Sequence, residues 1–409
     1  MNNSLGALSD LKILDFSHLL AGPFATQILG DYGAEVFKIE RANIGDDFRR
    51  WNFFNKKVGG YSSASYMAWN RNKRSLALDL KKPEAKQIIY KMAETCDVVI
   101  QNFRPGVMAK RGFGYEDFKK INSKIIYCNG SGYGNSGPYL NKPGQDLLLQ
   151  GISGLAKNTG RSTYPPTPLG AGIADQLGSL NMVIGILSAL HYREKTGKGQ
   201  EINVDLLSSL LQHQLQEYVA VLNLNQEFER PNSGVGHPGS GAPFGIYKTK
   251  DDYITIAVAS LEDLSEILGD EGIKKYSEGP SGAMGSDLQI SKRDEIFEYI
   301  ENLTQKFTTE ELEKKLSAKG CWVAPIKSHQ EVFEDPQVKH MKMFSSFSHD
   351  RYGKVTTVSP PVKMSETPPD ISKPVPLVGE HGFEILKEFG YSKSQINAFI
   401  ANKIITIEK

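Results

Sequence analysis

The chain has 409 residues, 48 Lys and Arg against 47 Asp and Glu, and a formal net charge of +1. That length exceeds one ordinary core and implies two domains. The near-neutral balance, without basic blocks, argues against nucleic acid or an anionic membrane as the main partner. Cys96, Cys128 and Cys321 stand far apart, without CxxC or metal-ligand spacing, which fits a reducing, cytoplasmic setting and no metal site. The opening MNNSLGALSDLKILDF lacks a basic stretch followed by an apolar one, so no signal peptide is expected. No uncharged run of membrane-spanning length is expected either, since the best stretch, 177–190, is short and carries Ser and Asn.

The first 135 residues alternate strand and helix. Apolar strands are predicted at 11–17, 34–40, 75–80, 97–103 and 124–131, with helices after the first (Pro23 in its opening turn), at 83–96, and near 105–121. This alternation predicts an α/β fold with a largely parallel sheet covered on both faces. Ligands on such sheets bind at the carboxyl ends of the strands, which is where HLLAGP, ERANIGDD, QNFRPG and GSGYGNSGP fall. Residues 144–225 read as mostly helical, broken by a proline-rich loop and by a strand at 200–206. From about 228 the texture changes: the loop ERPNSGVGHPGSGAP, a hairpin turning at Lys250–Asp252, three helices and a strand at 321–328 form a smaller α/β unit. A proline-rich run (358–382) and a terminal helical region follow.

Two GxGxxG matches, 132–137 and 234–239, lack the strand-to-helix context of a dinucleotide site, because each runs into proline. There is no P-loop, no GxSxG elbow and no histidine pattern of ligand spacing. One residue stands out. Asp175 follows a Pro- and Gly-rich run and precedes an apolar helix that reads from Gln176 to about Gly197, with no Lys, Arg or His within ten residues. Read alone, it lies at or next to the N-cap, its oxygens accepting amide hydrogens of the first turn, where the helix dipole favours its charge.

Several segments in order, LSDLKILDFSHLLAGPFATQILGDYGAEVFKIE, GDDFRRW, NRNKRSLALDLKKPE, DVVIQNFRPG, GYGNSGPY, the Asp175 region, TGKGQEINVDL and GEHGFEIL, resemble the class III CoA-transferases. That family includes formyl-CoA transferase, carnitine CoA-transferase and the α-methylacyl-CoA racemases, and the resemblance covers nearly the whole chain. It implies an interlocked homodimer. It also implies a large Rossmann-like domain (1–225, completed by the C-terminal segment), a small α/β domain (226–330), and a return segment (331–409) whose helices pack on the large domain. CoA and acyl-CoA are then substrates, with no permanently bound cofactor.

The resemblance makes Asp175 the nucleophile, an ionised carboxylate held by backbone amides that attacks an acyl-CoA thioester and becomes an aspartyl-CoA thioester. By matched position, His18, Leu20 and Ala21 would meet the pantetheine arm, and Arg41 a phosphate. Leu78 and Lys81 would flank adenine and phosphate. Asn102, Phe103 and Arg104 would line the adenine side, and Lys110 stands where formyl-CoA transferase has Arg. Gln145 occupies the place of the racemases' His and cannot act as a base, which opposes a racemase or epimerase; a non-catalytic acyl-CoA-binding paralogue is the other alternative. Asp146 reads as structural. Gly239, Ser240 and Gly241 resemble a mobile glycine loop whose amides could bind an oxyanion. Leu20 stands in place of a Gln that shapes the formyl-CoA transferase site, which argues against formyl-CoA and oxalate as the pair.

Overall fold

In the computed structural model, which describes residues 6–277 and 285–408, the first of two units holds six parallel strands. They are β1 (Lys12–Asp15), β2 (Glu35–Arg41), β3 (Lys73–Leu78), β4 (Val98–Gln101), β5 (Ile126–Ser131) and β6 (Glu201–Asp205). Their spatial order is β3-β2-β1-β4-β5-β6, and the two-residue strand Ile405–Thr406 adds antiparallel to the outer side of β3. This is the doubly wound order, in which the chain reverses direction across the sheet between β1 and β4 and opens a crevice at their carboxyl ends.

The strands are apolar because both faces are covered. On one face Leu14, Phe37, Ile39, Leu76 and Val99 pack against Ile88, Ile89 and Met92 of helix Pro83–Ala93 and against Ile385, Leu386 and Ile396 near the C-terminus. The other face carries helix Ala21–Asp31 and the long helix Ile173–Thr196. The long helix approaches its neighbours through small residues. A Cβ on Gly178 would lie 2.5 Å from Leu206 Cδ2, so a larger residue there would have to push the Leu206 side chain aside. Its large apolar residues Leu180, Ile184 and Leu187, spaced three and four apart, are exposed. By length and composition this helix could cross a membrane, contrary to the sequence expectation, but it packs on a parallel sheet and on helix Ala21–Asp31.

The second unit carries an antiparallel sheet of β7 (Gly245–Lys248), β8 (Tyr253–Val258) and β9 (Trp322–Pro325). Its core is Tyr247, Ile254, Ile256, Leu264, Phe297, Ile300 and Leu312. The unit comprises Gln150–Ala171 and Gln214–Asp335. Segments 150–171 and 214–225 therefore leave the large domain to which the sequence assigned them, and the return to the first unit begins at Pro336 rather than 331. After a short helix, Pro336–His340, that return forms a hairpin the sequence did not suggest, β10 (Phe344–His349) and β11 (Gly353–Val358).

Candidate active site

The helix bearing Asp175 starts earlier than its apolar periodicity indicated. It begins at Ile173 with Gly172 as N-cap, so Asp175 sits in the first turn and is not the cap. Glycine has no capping side chain, and the acceptor comes from elsewhere: Asp146 Oδ1 accepts the Ala174 N–H at 2.7 Å. Asp146 is 8% exposed and opens the helix Asp146–Ile152. The expectation that amides hold the Asp175 carboxylate therefore fails. Among the described residues no hydrogen bond reaches it, and burial first, then the Asp146 charge, raise its pKa from the ordinary value to about 7. The helix dipole favours the charged form by about 0.3–1 kcal/mol, less than one pKa unit. Burial and Asp146 win, so Asp175 is not fully ionised at pH 7.

Helix Ala21–Asp31 is tied to this first turn. Ser179 Oγ donates to the Ala21 carbonyl at 2.6 Å and to the Asp175 carbonyl at 2.8 Å. Leu20, the N-cap residue of that helix, packs on Gly172: a Cβ built there would lie 3.2 Å from Leu20 Cδ1. Leu20 and Ala21 thus stand beside the Asp175 turn. Gln145 is exposed and caps helix Asp146–Ile152, its Oε1 accepting the Leu147 N–H at 3.2 Å.

At the reversal point the loops after β1 and β4 clasp each other. His18 N–H donates to Asn102 Oδ1 (2.8 Å) and Asn102 Nδ2 donates back to the His18 carbonyl (2.7 Å). These groups of His18 and Asn102 are therefore already engaged. Phe103 meets the His18 ring edge-on at 5.1 Å and leans on the core. Burial, then Lys38, lower the His18 pKa, so the ring is neutral at pH 7. Leu78 is 1% exposed, in the core beside Leu76, so its side chain cannot lie against an adenine ring. Arg41 is 47% exposed and pairs with Asp47 at 2.5 Å, as does Arg50 at 2.6 Å. Lys81, Arg104 and Lys110 are exposed. The rim formed by the loops after β1 to β4 thus carries Arg41, Lys81, Arg104 and Lys110 in positions accessible to an anion.

Beneath this rim lies a charged network that the sequence did not reveal. Register places Asp15, Lys38 and Ser75 in one row across β1, β2 and β3. Lys73 Nζ lies 3.0 Å from Asp15 Oδ2, and Lys38 Nζ 3.1 Å from Asp46 Oδ2, with all four side chains fully buried. Thr26 of helix Ala21–Asp31 donates to Asp15 Oδ2 at 2.7 Å. Arg49 grips Glu40 through two bonds of 2.8 and 2.7 Å. Asp46 Oδ1 accepts the N–H of Leu19 at 3.2 Å, holding a non-glycine residue at φ +67°. A Lys inside an apolar strand, as in VFKIE, is the one sequence sign of this network.

In the second unit the glycine loop is tied down. Gly239 N–H donates to His237 Nδ1 and Ser240 N–H to the His237 carbonyl, both at 3.0 Å. Ser240 is fully buried, Gly241 packs on Gln289, and His237 Nε2 lies 3.2 Å from Glu217 Oε1. In this conformation the amides of Gly239 and Ser240 are used internally and not offered to an oxyanion.

Among the described residues no cation pairs with the Asp175 carboxylate, which stands at a helix start on a doubly wound sheet whose loops carry exposed cations. Residues 8–382 match the model of CoA-transferase family III, and the chain belongs to that family. A succinyl-CoA:glutarate CoA-transferase of Homo sapiens is 35% identical over 398 residues, 94% of this chain and 86% of the relative. A formyl-CoA:oxalate CoA-transferase of Rhodopseudomonas palustris (strain BisA53) is 30% identical over 413 residues, 95% of each. Among solved structures, a CAIB/BAIF family protein from Brucella suis aligns with a TM-score of 0.82 at 30% identity, covering 94% of this chain and 100% of that one.

Proposed function

We propose that this CoA-transferase moves CoA from an acyl-CoA donor to a carboxylic acid acceptor through a covalent aspartyl-CoA thioester at Asp175. One observation carries the reading: Asp175 is a carboxylate whose surroundings penalise its charge and, among the described residues, supply no cation to neutralise it. Such a carboxylate gains from becoming an uncharged acyl derivative. Its oxygen attacks the donor carbonyl, breaking the C–S bond and giving a mixed anhydride and CoA thiolate. The thiolate attacks Asp175 Cγ, releasing the donor acid and leaving the aspartyl-CoA thioester. The acceptor carboxylate attacks that thioester to form a second anhydride, and the returning thiolate takes the acceptor's acyl carbon, regenerating Asp175.

The exposed cations Arg41, Lys81, Arg104 and Lys110 supply charge for the CoA phosphates, and His18 and Ala21 flank the pantetheine arm. The Gly239–Gly241 loop serves as an oxyanion site only after its internal hydrogen bonds open. The apolar side chain of Leu20 beside the Asp175 turn disfavours the formyl-CoA and oxalate pair, and a succinyl-type donor with a small dicarboxylic acceptor is the pair to assay first. A racemase would need a base where exposed Gln145 stands. Leu180, Ile184 and Leu187, exposed on the long helix, form an apolar face suited to a second copy of the chain, in keeping with an interlocked homodimer.

The test is trapping. The protein is mixed with succinyl-CoA and other acyl-CoAs, quenched with hydroxylamine, and its peptides are mapped by mass spectrometry. A hydroxamate at Asp175 is the expected result. An unmodified Asp175 with every donor, in protein that binds CoA, would overturn the reading.

A further inference from the structure

We propose that Asp146 is a positioning residue for this reaction: it fixes the first turn of the helix that carries Asp175 and sets against the nucleophile a negative charge whose repulsion vanishes on acylation. The inference rests on the reading of Asp175 as the nucleophile and adds a residue that does not touch the substrate.

The geometry is specific. The helix Ile173–Thr196 has glycine at its N-cap and so lacks a cap of its own. Asp146 supplies the missing acceptor from a distant point in the chain, at 2.7 Å from the Ala174 amide, one residue before Asp175. A neutral acceptor would satisfy that amide equally well, and Ser or Asn are as common in the role. What a carboxylate adds is charge, in a place 8% exposed where water screens it little.

The elements packed against the long helix carry other titratable groups: Asp31 on helix Ala21–Asp31, Tyr127 and Cys128 on β5, Glu201 and Asp205 on β6, and His213 on helix Leu206–His213. After burial, Asp146 is the one charge that shifts Asp175. Ionised Asp175 is therefore raised in energy by its neighbour, while the anhydride and the thioester, uncharged at that position, are not. Each acylation relieves the repulsion and each release restores it, which speeds attack relative to a charge-free cap. A basic neighbour would do the opposite and hold the carboxylate as an inert ion pair.

Asp146→Asn tests this, because it keeps an oxygen acceptor for the Ala174 amide and removes the charge. The midpoint of the pH profile of kcat/KM is expected to move down by about half a pH unit or more. The plateau kcat is expected to fall about 3- to 30-fold, with KM for the acyl-CoA unchanged. Asp146→Ser, also a neutral oxygen acceptor, carries the same expectations should the Asn variant fold poorly. An unmoved midpoint with unchanged kcat, or a loss confined to KM, would overturn the role. Hydroxylamine trapping of the unmodified chain separates the two ideas. Absence of a hydroxamate at Asp175 there removes the nucleophile itself. Its presence together with an unmoved profile in the variants removes Asp146 alone.

Discussion

Helix Ala21–Asp31 is tied to Asp15 through Thr26 and to the turn of Asp175 through Ser179, and the protein treats these two carboxylates in opposite ways. Asp15, at the end of β1, is fully buried; burial alone would raise its pKa, but Lys38, Lys73, Ser17 and Thr26 outweigh that and hold it far below the usual carboxylate range. Asp175, at the start of the long helix, has burial and another carboxylate acting in the same direction and is pushed up to about 7. Asp15 is fully buried and Asp175 only half-buried, but burial raises both, so the opposite directions come from the partners. A buried acid with cations is a structural rivet, whose charge is permanent and whose oxygens are occupied. A half-buried acid without one has an oxygen to spare and a reason to lose its charge, which suits it better to covalent chemistry.

The largest way to test the contrast is to remove the proposed nucleophile, Asp175. Asp175→Asn keeps shape and burial but cannot form the thioester, and transfer is expected to fall by about a thousandfold or more, measured as acyl-CoA formed per active site. The mirror experiment is Lys73→Met, which leaves Asp15 short of a cation. Breaking a buried pair costs about 3 kcal/mol or more, so the urea midpoint should drop with unchanged slope. If Lys73→Met were as stable as the parent, the rivet description of Asp15 would be wrong.

A smaller effect follows from linkage. The folded pKa of Asp175 lies above its unfolded value, so the unfolded state binds fewer protons between about pH 4 and 7 and stability falls as pH rises through that window. The penalty is absent below about pH 4 and complete above about pH 7. Asp175→Asn should therefore be more stable than the parent by roughly 1–3 kcal/mol at pH 8 and equal to it near pH 4. The Asp15 and Glu40 network runs the other way. Lysine and arginine partners depress both carboxyls against burial, Glu40 to about 2, so their contribution is present above about pH 4 and lost as pH falls toward 2. Thermal melts across pH resolve the two slopes.

The sequence was legible where local pattern decides structure. Continuous apolar strands alternating with amphipathic helices placed β1 to β5, because both faces of such a sheet demand it, while β6 read only as a strand interrupting a helical segment. The long helix was evident, but its start was not: the cap of Asp175's helix is Asp146, which no local pattern connects to Gly172. The charged row Asp15–Lys38–Ser75 depends on register between strands, which no local pattern contains. Leu78 was misjudged although its signal was present, since it shares strand parity with the core residue Leu76. The β10–β11 hairpin escaped because FSSFSH and GKVTTV bury few side chains and alternate weakly.

The mildest prediction concerns the rim. Arg41 stands at the carboxyl end of β2, matched by position to a phosphate contact, yet it already shares Asp47 with Arg50, and both arginines are about half exposed or more. Exposed ion pairs contribute little, typically below about 1 kcal/mol, so exchanging Asp47 for a CoA phosphate gains little net energy. Arg41→Ala is expected to raise KM for acyl-CoA about 2- to 5-fold at low salt, with kcat unchanged, because the contact is remote from the acyl carbon and acts equally in ground and transition states. The increase should shrink as ionic strength rises and screening weakens the contact in the parent. A fall in kcat instead would mean that the rim reaches the reacting atoms, and the division between a binding edge and a reactive helix turn would have to be redrawn.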